Sequence, residues 1–142
     1  MSETPARVWT TGYQGHELEE FLATLRDAGI TMLVDVRRRA QSRKRGFGKT
    51  ALKNALSAAG IAYEPLRYLG MPVDLMPQRN LNDNTEILTE YRRRLEATPG
   101  VLDELRGLVR EHRVCLLCFE ADSRLCHRSV LANLLGVEVA RL

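Results

Sequence analysis

The sequence predicts one α/β domain, residues 1–142, built as three layers: a mostly parallel sheet with helices on both faces. Three observations lead there. Short apolar runs of strand-forming residues alternate along the chain with stretches of helical period. The length, 142 residues, is that of one domain. With 44% hydrophobic and 27% charged residues, the composition is that of a globular chain that can bury a core.

The elements follow in order. Arg7 to Thr11 carries Val8, Trp9, Thr10 and Thr11, which favour a strand, and Gly12 to Gly15 interrupts it. A helix is predicted from His16 to Ala28. Leu18, Phe21, Leu22 and Leu25 form its apolar stripe, Glu17, Glu19 and Glu20 suit its N-terminal dipole, and Gly29 ends it. Thr31 to Val34, followed by Asp35, reads as a buried parallel strand. A basic loop with Gly46 and Gly48 leads to a helix over Lys49–Ala59, then to a strand starting at Ile61-Ala62-Tyr63. Gly70 to Asn84, with Pro72 and Pro77, lacks periodicity and reads as a long irregular loop.

A helix capped by Asp83 or Asn84 is predicted to run to Ala97. Thr98-Pro99 has the pattern of an N-cap followed by proline, so a second helix is expected there, with Leu102, Leu105 and Val109 inward. Val114 to Phe119 is the strongest strand signal. A loop over Glu120–Leu125, a helix containing Ser129–Leu135 and a strand over Val137–Leu142 complete the chain. The longest apolar run, Val114 to Phe119, is far too short to span a bilayer. Met1-Ser2-Glu3-Thr4-Pro5 has neither a basic flank nor an apolar core, so no signal peptide is expected and a cytoplasmic location is. The odd cysteine count, three, speaks against a disulfide framework.

Charge is unevenly placed. Eight of the 21 basic residues are Arg37, Arg38, Arg39, Arg43, Lys44, Arg45, Lys49 and Lys53, with no acid among them. The remaining 13 basic residues face 18 acidic ones, so the rest of the chain has a net charge of −5. A segment of this kind attracts phosphate groups or nucleic acid, and it is equally the pattern of a solvated loop and helix face. In parallel α/β sheets ligands bind beyond the carboxyl ends of the strands. That rule singles out Gly12–Gly15, Asp35–Gly48 and Glu120–Arg128.

Those loops carry an ordered set of short motifs: Gly12-Tyr13-Gln14-Gly15, Asp35-Val36-Arg37, Ser42-Arg43, Gly46-Phe47, Gly60-Ile61-Ala62-Tyr63 and Leu69-Gly70. Leu117-Cys118-Phe119-Glu120-Ala121-Asp122 and Cys126-His127-Arg128 close the series. The set resembles the "domain of unknown function 488" family from about Thr10 to Leu135. The resemblance implies a small α/β domain and no particular reaction. Three positions depart from the family pattern: Ala40 and Ser123 stand where proline is common, and Met71 where a second glycine is.

Candidate roles follow from residue chemistry. Asp35 and Arg37 leave an extended backbone on the same side. Either they pair and hold the basic loop, or Asp35 serves as an acid/base group or ligand and Arg37 as an anion clamp, for which its planar fork is suited. Cys126, His127 and Arg128 are expected in the first turn of the last helix, where free amides and the dipole favour anions. There Cys126 has the surroundings of an activated thiolate. Glu120 is a candidate acid/base group, and Tyr13, Arg37, Arg43, His127 and Arg128 are candidate substrate contacts. The competing reading makes Cys126 a packed thiol and pairs Arg128 with Glu120 or Asp122.

Two motifs are discounted. Cys118 to Arg124 has phosphatase-loop spacing, but Glu120 and Asp122 inside it repel a phosphate. Cys115 and Cys118 have zinc-ligand spacing, but within a strand they face opposite sides. No metal or cofactor is called for. His16 and His112 read as helix-surface residues, and Tyr13, Phe47, Tyr63 and Tyr68 as aromatics near loops that can stack on bases.

Three functions stay open. One is a module binding a phosphorylated small molecule or a nucleotide, or nucleic acid through Arg37–Lys53. Another is an enzyme on a phosphorylated or nucleotide-like substrate, with Cys126 as nucleophile and Glu120 or His127 moving the proton. The last is a structural or regulatory domain whose polar cluster only orders loops. No membrane partner is expected.

Overall fold

The computed structural model describes residues 7–12, 15–38, 47–72, 74–75, 85–118 and 127–142. Among the described residues there are five strands: β1 (Arg7–Gly12), β2 (Met32–Asp35), β3 (Ala62–Pro65), β4 (Val114–Cys118) and β5 (Glu138–Arg141). Five α-helices join them: α1 (Leu18–Asp27), α2 (Lys49–Ala58), α3 (Thr85–Glu96), α4 (Asp103–Glu111) and α5 (Arg128–Leu135). A short 3-10 turn, Arg67–Leu69, follows β3. The sheet order is β3-β2-β4-β1-β5, and every pairing is parallel. The α/β class and the parallel sheet predicted from the sequence are what the structure has.

Alternation along the strands decides the layers. In β4, Val114 and Leu116 face one core while Cys115 and Leu117 face the other. Trp9, Leu33, Cys115 and Leu117 pack with Phe21 and Leu25 of α1 and Leu52 and Leu56 of α2. Val8, Val34, Val114 and Leu116 pack with Tyr91 of α3, Leu105 of α4 and Leu131 of α5. Helices α1 and α2 therefore cover one face, and α3, α4 and α5 the other. The chain leaves β1 and β2 toward one face but leaves β4, which lies between them, toward the other. Such reversals open a crevice at the strands' carboxyl ends.

One predicted boundary is corrected. The second helix of the pair starts at Asp103, not at Pro99. The Thr98 hydroxyl donates back to the Arg94 carbonyl at 2.9 Å, so it serves the end of α3 and caps nothing ahead of it. Gly100 at φ +79 then takes the chain out of the helical region. The proposed caps Asp83 and Asn84, most of the Gly70–Asn84 loop and Phe119 lie outside the described residues.

Helix α3 is tied to Asp74 by charge. Arg94 donates to both Asp74 oxygens, at 2.9 and 2.7 Å, and Arg93 and Arg94 both donate to Glu90. These arginines hold the Glu90 carboxyl down to about 2 from an ordinary 4.5, and Arg94 holds Asp74 below its usual range. A carboxylate whose pKa is lower folded than unfolded stabilises the fold above the unfolded value and loses that contribution as pH falls toward the folded one. Glu90 should thus add stability above about pH 4.5 and lose it toward about pH 2. Urea melts across that window should show a shallower acid decline for Glu90→Gln than for the unsubstituted protein.

Candidate functional site

Buried polar side chains are costly, so their placement is informative. Among the described residues they are Thr10, Thr11, Asp35, Arg37, His127 and Arg128. All six lie near one end of the sheet: the last residues of β1, the end of β2 and the start of α5. The Thr10 hydroxyl is buried with no hydrogen-bond partner among the described residues.

Asp35 ends β2 and has no exposed surface. Its Oδ1 accepts from the Arg37 backbone amide at 3.1 Å and from Arg37 Nε at 2.8 Å. Its Oδ2 accepts from Arg37 Nη2 at 2.6 Å and from the Tyr63 hydroxyl at 2.5 Å. Four donors thus converge on one carboxylate, two on each oxygen. Burial first, then the bond to Asp35 and its charge, push the Tyr63 phenol well above its ordinary value. Tyr63 thus holds its proton on Asp35 through the neutral range.

The other arm of Arg37 is also engaged. Its Nη1 donates to the Phe47 carbonyl at 2.7 Å. Phe47 is fully buried and sits edge-to-face on Phe21, with ring centroids 5.2 Å apart. Arg37 therefore joins the two flanks of the basic segment, and Phe47 has no ring face to offer a base. Arg38 turns the other way. Its Nε donates to the Met71 carbonyl and its Nη2 to the Gly70 carbonyl, both at 2.9 Å. Gly70 lies so close to the Arg38 backbone that an added Cβ would come within 2.4 Å of its amide nitrogen.

The start of α5 meets the same strand end. His127 occupies the N-cap position, and its Nε2 donates to the Val36 carbonyl at 2.7 Å. A carbonyl only accepts, so Nε2 carries the proton. Arg128 is the first residue of α5, and its side chain is entirely buried. Cys115 on β4 feels its charge: burial pushes that thiol far up, and the Arg128 guanidinium pulls partly the other way.

The structure brings Asp35, Arg37, His127 and Arg128 together at this end of the sheet. Cys126, Glu120, Tyr13, Arg43 and Asp122 lie outside the described residues. His127 flanks the last helix instead of lying in its first turn, which begins at Arg128. Tyr63, expected only as an aromatic able to stack on a base, holds Asp35 instead, and Arg38 and Gly70 join the cluster without having been expected there. The signals for two of them were present, Tyr63 closing one of the short motifs and Gly70 another. Arg38 was hidden inside a run of basic residues that reads as solvated. Tyr68 is 45% exposed and donates to Glu104, away from this cluster. Among the described residues no group of three or more His, Cys, Asp or Glu side chains is placed to hold a metal, and no helix is long and apolar enough to cross a membrane.

No curated protein and no solved structure matches the chain. The family model "Domain of unknown function DUF488" matches residues 17–135, which begins after the Gly12-Tyr13-Gln14-Gly15 motif and takes in the rest of the series. With most of its length matched, the chain belongs to the DUF488 family.

Proposed function

We propose that this domain binds a phosphate-bearing small molecule or nucleotide at the carboxyl ends of β1, β2 and β4. One observation carries the reading. Every buried polar or charged side chain among the described residues gathers at this end, where the chain reverses direction about β4. Burying an arginine and an ion pair costs stability, so a cluster of them at the usual ligand end of an α/β sheet supports a site. Arg37 and Arg128 supply positive charge near the crevice; Tyr13 and Arg43, outside the described residues, are proposed as further substrate contacts. Asp35 is better suited to orient Arg37 than to move protons, since all its acceptor positions near Arg37 and Tyr63 are used.

Catalysis at this site turns on Cys126, one residue before the His127 cap, with Glu120 as its acid/base partner. A thiolate stabilised by Arg128 and the start of α5 should react with iodoacetamide well below the pH of an ordinary thiol, about 8.5. Mass-spectrometric mapping of the alkylated cysteine against pH decides this. Ordinary pH dependence at Cys126 would leave a binding domain without a nucleophile.

A structural reading has its own observation. The Arg37 fork is spent on Asp35 and the Phe47 carbonyl, which ties the end of β2 to Phe47 without any ligand. Melting temperatures separate the readings, measured with nucleotides, phosphosugars, short DNA and short RNA at low and high salt. A ligand at 100 times its Kd adds about 2.7 kcal/mol. Stabilisation by a small phosphate compound at both salt levels supports the site. Stabilisation only by nucleic acid, and only at low salt, moves the function to the Arg37–Lys53 segment. No response favours the structural reading.

A further inference from the structure

The strand end, the start of α5 and the segment after β3 are joined in a closed ring. Its acceptors are all backbone carbonyls. His127 Nε2 donates to Val36 at 2.7 Å. The His127 ring stands edge-to-face on the Tyr91 ring, with centroids 5.3 Å apart. The Tyr91 hydroxyl donates to the Leu69 carbonyl. The next two carbonyls, Gly70 and Met71, accept from Arg38, which follows Val36 and Arg37 along the chain.

His127 is the member of this ring that begins α5 beside Arg128. Its backbone carbonyl accepts the amides of Val130 and Leu131, both at 3.1 Å, so it starts α5. Arg128 is its chain neighbour. His127 is 5% exposed and its ring packs on Tyr91, which is 2% exposed. An anion reaching for Nε2–H would have to displace the Val36 carbonyl and leave that buried acceptor unmade.

We infer that His127 is a positioning residue: it pins the first turn of α5, and Arg128 with it, to the end of β2 and does not itself contact the anion. This replaces the substrate contact expected of His127 from the sequence, and it rests on the anion-site reading above. Tyr91 is the support that fixes the imidazole plane, and through it the segment 66–71 is coupled to the site.

The test uses the full chain, with inorganic phosphate as the probe and calorimetry as the readout. His127→Gln places an amide donor close to where Nε2 stands, and His127→Ala places none. The inference predicts that His127→Gln keeps phosphate affinity within about threefold, while His127→Ala weakens it about tenfold, the equivalent of one lost hydrogen bond. It also predicts that the ¹⁵N shifts of the His127 ring report the Nε2–H tautomer and stay fixed as phosphate is added. That readout needs no variant to fold.

Equal loss in both variants, or ring nitrogens that move with phosphate, would overturn the inference and leave the anion site standing. Full affinity in His127→Ala would overturn it too. Absence of phosphate binding by the unsubstituted protein would overturn the anion-site reading, and the inference with it.

Discussion

Asp35→Asn should destabilise the fold by about 3–5 kcal/mol, the cost of removing one partner from a buried ion pair. The carboxylate has no exposed surface and accepts four hydrogen bonds, three from Arg37 and one from Tyr63. Asparagine keeps one oxygen and turns an NH₂ group toward donors. Arg37, whose side chain is 5% exposed, loses the Asp35 countercharge. The effect should reach beyond stability, because Arg37 also holds the Phe47 carbonyl on the far flank of the basic segment. Denaturant titration gives the magnitude. Asp35→Leu combined with Arg37→Met should be less destabilised than either single change, since two apolar groups remove both charges at once. A loss below about 1 kcal/mol for Asp35→Asn would mean that the pair is better hydrated than its burial indicates.

Gly70→Ala should cost about 3 kcal/mol, at the upper end for overpacking. The new Cβ would lie 2.4 Å from the Arg38 nitrogen, 2.6 Å from its Cα and 2.7 Å from its Cβ. Two of those three atoms are backbone, so no flexible side chain can swing away. Relief requires the 70–71 segment to withdraw from Arg38, which breaks the two hydrogen bonds from the Arg38 guanidinium. Gly107 is the control. It lies inside α4 with nothing within 4 Å of an added Cβ, so Gly107→Ala should raise stability by up to about 1 kcal/mol. Thermal melts of the two variants should move in opposite directions. A neutral Gly70→Ala would place the 70–71 segment farther from the strand end than the structure has it.

The architecture was legible because burial writes itself into local pattern. Val114–Leu117 and Thr31–Val34 are continuous apolar runs because parallel strands are covered on both faces. Helix α1 shows its stripe because only one side is covered. The misread start of α4 has a local cause as well. Thr98-Pro99 is a valid cap pattern, but the Thr98 hydroxyl has a competing acceptor one turn back, at Arg94. Side-chain direction at the site was not legible. Arg37 and Arg38 look identical to their neighbours in a basic run, and only long-range partners make them internal: Phe47 for one, Gly70 and Met71 for the other. Of the eight basic residues that the sequence offers to a polyanion, these two are already committed. His127 was likewise assigned by its neighbours in the chain, while its partner Val36 lies 91 residues away.

If the buried polar cluster at the strand ends marks an anion site, a ¹H–¹⁵N correlation titration with inorganic phosphate at physiological salt will show it. Saturable shifts are expected at Gly12, at Val36 to Arg38 and at Arg128 to Val130, with the Arg37 and Arg128 side-chain Nε–H signals among them. Saturable shifts confined to α2, around Lys53, would contradict it, as would no shift at any of these positions.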